Sequence, residues 1–342
     1  MKELIRLQQK IAPGLIKVVE RRYNILRTIF YSQPIGRRRL AEKIGVSERK
    51  VRNDLDFLKE RYLVNSTSAG TKITETGKEL FYQLDNYIRV LRGLDNLESK
   101  LKHELGLKEV YIVPGSEDEA KAQQELGRRA ARLLKEKLEN NDVLAVNGGT
   151  TLAAVADFML ANNGATDITV VPARGGLGEE VEIQANTIAA QIANKLGGRY
   201  RLLHLPDNLD QTVVNTLIQK PQIKEVLNLA KEADILIHGI GTAEVMARRR
   251  QVDSLELEKI LEAGAVGEAF GYYFNQTGEI VYSTTSLGVQ LEDLKKKVGK
   301  TIAVAGGKKK AGAIISVVSD EYQDMLITDR EAAEEILDLL RG

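Results

Sequence analysis

The stretch of this chain best equipped for chemistry is Val143 to Asp157, VLAVNGGTTLAAVAD. Val143 to Val146 is an apolar run that suits a buried strand, Asn147-Gly148-Gly149 a tight turn, and Thr150-Thr151 the opening of a helix continued by Leu152, Val155 and Phe158. Strand, glycine turn, hydroxyls and helix in that order make an anion site. Glycines let backbone approach a ligand, the first helical turn has N–H groups without partners, and the helix dipole favours negative charge there. A plain turn with an ordinary threonine cap has the same pattern, so other loops must decide between the two.

Four further glycine loops have the same character. They are Pro172-Ala173-Arg174-Gly175-Gly176-Leu177-Gly178, near enough to Gln184 to share a site, Gly239-Ile240-Gly241-Thr242, Gly267-Glu268-Ala269-Phe270-Gly271, and Gly306-Gly307-Lys308-Lys309-Lys310. Each alone could be a turn. Together, with Arg174 and a lysine run among them, they point to a phosphate-rich ligand, since arginine offers a bidentate fork and lysine a point charge. Neither G-x-G-x-x-G nor G-x-x-x-x-G-K-[ST] occurs, which disfavours nucleotides. Glu268 is the one strong acid/base candidate within a glycine loop. An enzyme acting on a phosphorylated substrate would use it to move protons. No histidine or aspartate at close spacing accompanies it, and one carboxylate equally accepts hydrogen bonds from sugar hydroxyls.

Composition limits the alternatives. The 342 residues contain no cysteine and only three widely separated histidines, His103, His204 and His238, so disulfides, iron–sulfur clusters and Cys nucleophiles are excluded and a metal site is disfavoured; no cofactor is expected. No run of about 20 apolar residues predicts a membrane span, and the charged start predicts no signal peptide; the expected location is the cytoplasm. A net charge of +1 hides an asymmetry: residues 1 to 60 hold 15 Lys and Arg against 7 Asp and Glu, a net +8, and the remainder carries −7. The basic end fits a polyanion, although charge by itself is also what a solvated face carries.

Spacing makes the basic end more specific. Residues 2 to 22 form a packing helix broken near Pro13-Gly14, and Tyr23 to Tyr31 a helix ended by Gln33-Pro34-Ile35-Gly36. Arg37 to Ile44 is short and helical, Gly45 suits a sharp turn, and Ser47 is placed to cap a third helix, Glu48 to Arg61. Val51, Leu55 and Leu58 define that helix's buried side, so Arg49, Lys50, Arg52 and Asn53 face outward from its first half, as major-groove recognition requires. Arg38 and Ser47 join them as expected DNA contacts. Tyr62 to Val64 and Thr71 to Thr74 read as two strands of a wing, and Thr76-Gly77-Lys78-Glu79 has the spacing of a capping box. The whole is a winged helix-turn-helix over residues 1–80.

A long helix is predicted from Leu80 to about Leu105, a linker over 81–107. Its Leu84, Tyr87, Leu91 and Leu94, then Leu97 and Leu101, could be a seam between two subunits or packing against the chain's own domain. From 108 to 342 strands and helices alternate. Expected strands are Glu109 to Val113, Asp142 to Val146, Ile168 to Pro172, Tyr200 to Leu205, Ile235 to His238, Thr301 to Val304 and Met325 to Thr328, with a hairpin insertion over Gly271 to Tyr282. Such alternation predicts an α/β fold, a doubly wound, largely parallel sheet whose ligands bind beyond the carboxyl ends of the strands.

NGGTT (147–151), PARGGLGE (172–179), QANTIA (184–189), HGIG (238–241), EAFGYYFN (268–275) and AVAGGKKKAGAI (303–314), behind a winged helix-turn-helix, resemble the SorC-type sugar-binding transcriptional regulators over nearly the whole chain. The resemblance implies a bacterial repressor of glycolytic genes with no enzymatic activity, whose effector domain is related to sugar-phosphate isomerases and deaminases. It implies operator DNA as partner, a homodimer or homotetramer, and fructose 1,6-bisphosphate or a related sugar phosphate as inducer. The implied effector contacts are Thr150, Thr151, Arg174, Gln184, Glu268 and Lys310, to which the glycine-loop reading adds Gly148, Gly149, Gly175, Gly176, Leu177 and Gly178. Among the three adjacent lysines, Lys310 is chosen because the small-residue helix start Ala311-Gly312-Ala313 follows it.

Overall fold

The computed structural model describes residues 2–116, 118–161, 165–176, 180–205, 211–284, 287–318 and 322–341. The chain divides into two compact units, Met1–Asp95 and Asn96–Gly342.

The first unit runs α1 (Lys2–Ile11), α2 (Pro13–Ser32), α3 (Arg37–Ile44), α4 (Glu48–Glu60), β1 (Val64–Thr67), β2 (Gly70–Ile73) and α5 (Glu75–Leu91). In its core Ile25, Leu26 and Ile29 of α2, Leu40 of α3, and the expected Val51, Leu55 and Leu58 of α4 close on Phe81 and Ile88 of α5. Gly45 ends α3 in the left-handed region at φ 65°, its N–H reaching the Ala41 and Glu42 carbonyls, and this sets the angle at which α4 leaves. β1 and β2 pair antiparallel, Val64 opposite Ile73, so a hairpin follows the helix-turn-helix. α5 starts two residues earlier than expected because Thr74, not Thr76, is its cap, accepting the Gly77 N–H at 3.0 Å.

The single linker helix expected over 81–107 is in fact two. Arg92 caps α5 and Gly93 follows in the left-handed region at φ 70°, a conformation that ends a helix; α6 (Leu94–Glu104) then begins, and the division between units falls in its first turn. Leu84, Tyr87 and Leu91 pack on the core of the first unit, while Leu94 and Leu101 are buried. Leu84, Tyr87 and Leu91 thus pack within the first unit, as one of the two expected uses of this stretch requires.

The second unit holds a seven-stranded parallel sheet of β3 (Glu109–Val113), β4 (Val143–Val146), β5 (Thr169–Pro172), β6 (Arg199–Tyr200), β7 (Ile235–Gly239), β12 (Lys300–Val304) and β13 (Met325–Asp329), in the order β3-β13-β12-β7-β4-β5-β6. All seven predicted strands are present. The strand expected over Tyr200 to Leu205 is shorter than predicted, because Asn186 replaces the ladder beyond Tyr200, accepting from the Leu203 N–H at 2.9 Å and donating to its carbonyl at 3.0 Å. From β4 the chain moves outward through β5 and β6, then returns to lay β7 on the other side of β4 and continues the opposite way. The strand order thus reverses between β4 and β7, where ligands bind in open α/β sheets.

Helices α7 (Glu119–Lys137), α8 (Thr150–Phe158), α9 (Ala185–Leu196), α10 (Gln211–Leu217) and α11 (Pro221–Lys231) lie between strands. α7 and α8 approach so closely that a Cβ on Gly127 would lie 2.6 Å from the Ala154 carbonyl carbon. Between β7 and β12 a second, antiparallel sheet is inserted: β8 (Gly241–Thr242), β9 (Ala265–Ala269), β10 (Tyr272–Asn275) and β11 (Ile280–Ser283), with α12 (Ala243–Arg249), α13 (Ser254–Glu262) and α14 (Leu291–Lys296) around it. The expected hairpin insertion is its β10–β11 pair. α15 (Ala311–Val318) and α16 (Arg330–Leu339) complete the unit.

Candidate functional site

A cavity of about 540 Å³ opens at the carboxyl ends of β4, β5, β7 and β12, four neighbouring strands that include the reversal point. Its size fits a small phosphorylated metabolite. Its wall includes Asn147 to Leu152 after β4, Arg174 and Gly175 after β5, Gln184 at the start of α9, Gly239 to Thr242 after β7, Arg249 and Arg250 at the end of α12, Glu268 and Phe270 of the inserted sheet, and Lys310.

The glycine turn after β4 has the geometry an anion needs. Gly149, at φ 118°, is the N-cap of α8, so the amides of the first turn of α8 have no partner within the helix. A Cβ on Gly148 would sit 2.9 Å from the Ile183 carbonyl oxygen, and the Gly149 N–H donates to that same oxygen at 2.8 Å. Thr150 and Thr151 follow on the cavity wall. Asn147, unremarked in the sequence beyond its turn, is here too. Its Oδ1 is buried and has no hydrogen-bond partner among the described residues, a state that invites a donor.

Of the three adjacent lysines, Lys310 is the one that reaches the cavity. Lys308 is exposed and pairs with Glu335 at 3.0 Å, and Lys309 is exposed. The Lys310 ammonium donates to the Ile240 carbonyl at 3.1 Å. Burial, and after it the like charge of Arg249, holds its pKa below the ordinary lysine value. The Gly307 N–H, expected to help hold a phosphate, is already donated to Asp329 at 2.6 Å. Asp329 also caps α16 through the Ala332 N–H at 2.8 Å, and burial raises its pKa against these hydrogen bonds.

Glu268 and Arg174 meet in the cavity wall. Both are buried, with 3.9 Å between Arg174 Nη1 and Glu268 Oε1. The same Oε1 accepts from Arg250 Nη2 at 2.7 Å and from the Gly271 N–H at 2.5 Å. Gly271 is required here, since its φ is 81° and a Cβ would lie 2.6 Å from Arg174 Nη2. Preceding it, Phe270 also has positive φ, 56°, a strained state for a bulky residue, and its ring packs on the His238 imidazole at 4.5 Å. His238 is buried, which lowers its pKa; its Nδ1 lies 2.9 Å from the Gly239 carbonyl and its Nε2 2.9 Å from the Gln323 amide. Both ring nitrogens are engaged, so this histidine is no proton shuttle for Glu268.

The loop after β5 differs from its expected use. The Gly175 N–H donates to the Leu287 carbonyl at 3.2 Å and the Gly176 N–H to the Leu205 carbonyl at 2.9 Å, so neither amide is offered to a ligand. A Cβ on Gly176 would lie 3.1 Å from Gln184 Oε1, which brings the Gln184 amide to this loop as the sequence anticipated. Leu177 and Gly178 lie outside the described residues. Arg249 and Arg250 are the cavity residues that the reading of glycine loops missed. Their signal was the run Arg248-Arg249-Arg250 shortly after Gly239-Ile240-Gly241-Thr242. Among the described residues the cavity wall carries four cations, Arg174, Arg249, Arg250 and Lys310, against the carboxylates Glu180 and Glu268, a balance that favours an anion.

In the first unit, Arg49, Lys50, Arg52 and Asn53 are all exposed on α4, opposite its buried Val51, Leu55 and Leu58. Ser47 is the N-cap residue but makes no side-chain cap hydrogen bond. Arg38 extends into solvent, 4.0 Å from Glu48, which holds Arg37 at 2.8 Å. Asp54 fixes the helix from behind: it is buried and accepts from Arg21 Nε at 2.5 Å and Arg22 Nε at 2.9 Å. Burial raises its pKa, but the hydrogen bonds and charges of the two arginines outweigh this and hold it below the usual aspartate value. Among the described residues no group of histidines and carboxylates could hold a metal ion, and no helix is long and apolar enough to cross a membrane.

A first unit with a helix-turn-helix and an exposed basic helix face, joined to a doubly wound α/β unit with a cation-rich cavity, has the build of a ligand-responsive transcriptional regulator. Known proteins agree. Residues 90–338 match the putative sugar-binding domain family and residues 18–88 the CggR N-terminal DNA binding domain. The chain is 44% identical to the central glycolytic genes regulator of Priestia megaterium, over 98% of this chain and 99% of that one, and 43% identical to the protein of the same name from Bacillus subtilis over the same shares. A SorC family transcriptional regulator from Enterococcus faecalis superimposes with a TM-score of 0.65 at 39% identity, covering 71% of this chain and 99% of its own. This chain belongs to the SorC family of sugar-binding transcriptional regulators.

Proposed function

We propose that this protein is a cytoplasmic repressor of glycolytic genes that binds operator DNA through α4 and its flanking hairpin, and is induced by a phosphorylated sugar, fructose 1,6-bisphosphate, in the cavity at the β4–β7 reversal. The names of its relatives support the glycolytic genes. The observation that carries the ligand is the distribution of charge in the cavity. Its wall carries two sets of cations, Lys310 with Arg249 and Arg174 with Arg250 around Glu268, together with the glycine turn at the N-terminus of α8, Thr150 and Thr151. A sugar carrying two phosphates matches two sets of cations, and its hydroxyls match Gln184, Glu268 and the unpartnered Asn147 oxygen. Glu268 is held by an arginine and a backbone N–H, an arrangement suited to positioning a ligand rather than to moving protons. Because such regulators read two half-sites, the working form is a homodimer or homotetramer.

The test is calorimetric titration with fructose 1,6-bisphosphate, fructose 6-phosphate and glucose 6-phosphate, combined with product analysis after prolonged incubation. Tightest binding of the bisphosphate and no turnover are expected. Equal affinity for all three sugars, or steady turnover abolished by Glu268→Gln, would overturn the proposal.

A further inference from the structure

Helix α1 has two faces. One is anchored: Ile5 is buried, and Gln8 accepts a hydrogen bond from the Tyr87 hydroxyl of α5 at 3.0 Å. The other is apolar and uncovered, with Leu4 58%, Leu7 57% and Ile11 85% exposed at i, i+3 and i+7, and Leu15 54% exposed just past the break at Ala12. A continuous aliphatic stripe on a fixed helix is unusual for free surface. It lies outside the matched DNA-binding segment, which starts at residue 18.

We propose that this stripe is a two-fold contact with a second copy of the chain, which joins two DNA-binding units on one operator. The proposal rests on the DNA-binding role given to the first unit. The occupant follows from charge and area. Glu3 and Lys10 are exposed, seven residues apart on the flank of α1 beside Leu7 and away from the anchored face. A two-fold axis near Leu7 sets α1 antiparallel to its mate, with Leu4 opposite Ile11, Leu7 opposite Leu7, and Glu3 of each copy beside Lys10 of the other, the self-complementarity an isologous contact requires. The four aliphatic side chains offer on the order of 400 Å² of apolar surface per copy, about half of what each partner contributes to a standard stable interface. Such a contact is weak between free molecules and becomes effective when two units are held on adjacent half-sites.

The absence of cysteine from the chain makes the test clean. In the full-length protein, Leu7→Cys is oxidised on operator DNA and compared with Gln9→Cys, which is exposed on the side of α1 turned away from the stripe. A disulfide requires Cα atoms within about 7 Å, so the expected result is a covalent dimer from Leu7→Cys and none from Gln9→Cys. Failure of Leu7→Cys to cross-link, or equal cross-linking of both, would overturn the contact. Leu7→Glu with Ile11→Glu should weaken binding to a two-half-site operator on the order of tenfold or more, while affinity for a single half-site, effector affinity and melting temperature stay as in the parent protein. A lowered melting temperature without loss of two-site preference would mean that the stripe rests on its own chain, which also overturns it. Wild-type protein that ignores promoter DNA while Leu7→Cys still cross-links in solution would refute the DNA-binding role and leave the contact standing.

Discussion

Replacing Lys310 by methionine separates a ligand contact from a structural one, because the two roles predict opposite effects on the empty protein. The ammonium is largely buried, lies in the field of Arg249, and makes one hydrogen bond, to the Ile240 carbonyl at 3.1 Å. Methionine gives up that bond, about 0.5–1.5 kcal/mol, but it also removes a desolvated charge and its repulsion, and it fills nearly the same volume. The two contributions oppose each other, so the melting temperature of the effector-free variant should equal or exceed that of the wild type. With ligand the balance inverts. A phosphate is deprived of one charge-assisted hydrogen bond of about 1.5–3 kcal/mol, roughly ten- to a hundredfold in affinity. The lowered pKa adds a pH signature. Phosphate favours the protonated amine, so wild-type affinity should fall as pH rises through the lowered Lys310 value, and the variant should lack that component. Calorimetric titration with fructose 1,6-bisphosphate across alkaline pH, with thermal melts of the empty proteins, provides both readouts. Undiminished affinity in Lys310→Met, or a variant that melts well below the wild type, would refute the assignment.

Other expectations follow from neighbouring geometry. Arg174→Ala should weaken bisphosphate binding by a similar ten- to hundredfold in the same titration, with DNA affinity in the absence of effector preserved. Gly127→Ala drives a methyl into Ala154 of α8; overpacking of this kind costs about 1–3 kcal/mol, and because α8 carries the Gly149–Thr151 turn, denaturant melts and effector titrations should both register it. Asp54→Asn should destabilise the first unit by about 1.5–3 kcal/mol at neutral pH by taking away the carboxylate charge that accepts from Arg21 and Arg22. Since the folded Asp54 pKa is depressed, its contribution is present above the unfolded value near 3.9 and lost as pH falls through the folded one; the gap between variant and wild type in chemical melts should therefore close in acid. Alanine at Arg49, Arg52 and Asn53 together should abolish operator preference in a gel-shift assay, since each side chain that reads a base contributes about 1–3 kcal/mol; normal operator binding would mean that another element reads the DNA.

Much of the fold was legible because local pattern and tertiary use coincide. The face Val51, Leu55 and Leu58 predicted the outward side of α4 correctly, and the apolar runs Val143 to Val146 and Thr301 to Val304 are buried strands as they read. The strand-turn-helix pattern at Gly148 to Thr151 likewise shows itself in sequence, because positive φ and close approach both demand glycine there. What sequence could not show is which partner a group takes. The Gly175, Gly176 and Gly307 amides look available in a glycine loop, yet Leu287, Leu205 and Asp329, all distant in the chain, accept them. The run Arg248-Arg249-Arg250 signals basic residues but not which of them pairs with Glu268, 18 residues away, which the inserted sheet brings to Arg250. Leucines spaced for a coiled coil from Leu84 to Leu101 cannot reveal that the turn at Gly93 divides them between two helices, with Leu84, Tyr87 and Leu91 packed on the core of the first unit.

The central claim is that occupation of the cavity in the α/β unit changes the hold of the first unit on DNA. Fluorescence anisotropy of labelled promoter DNA, titrated with full-length protein at fixed salt with and without saturating fructose 1,6-bisphosphate, tests it most directly. The account predicts specific binding that the bisphosphate weakens, with DNA in turn weakening bisphosphate binding by the same factor, as linkage requires. Fructose 6-phosphate should have little effect. Promoter affinity that is identical with and without a bisphosphate shown by calorimetry to be bound would contradict it.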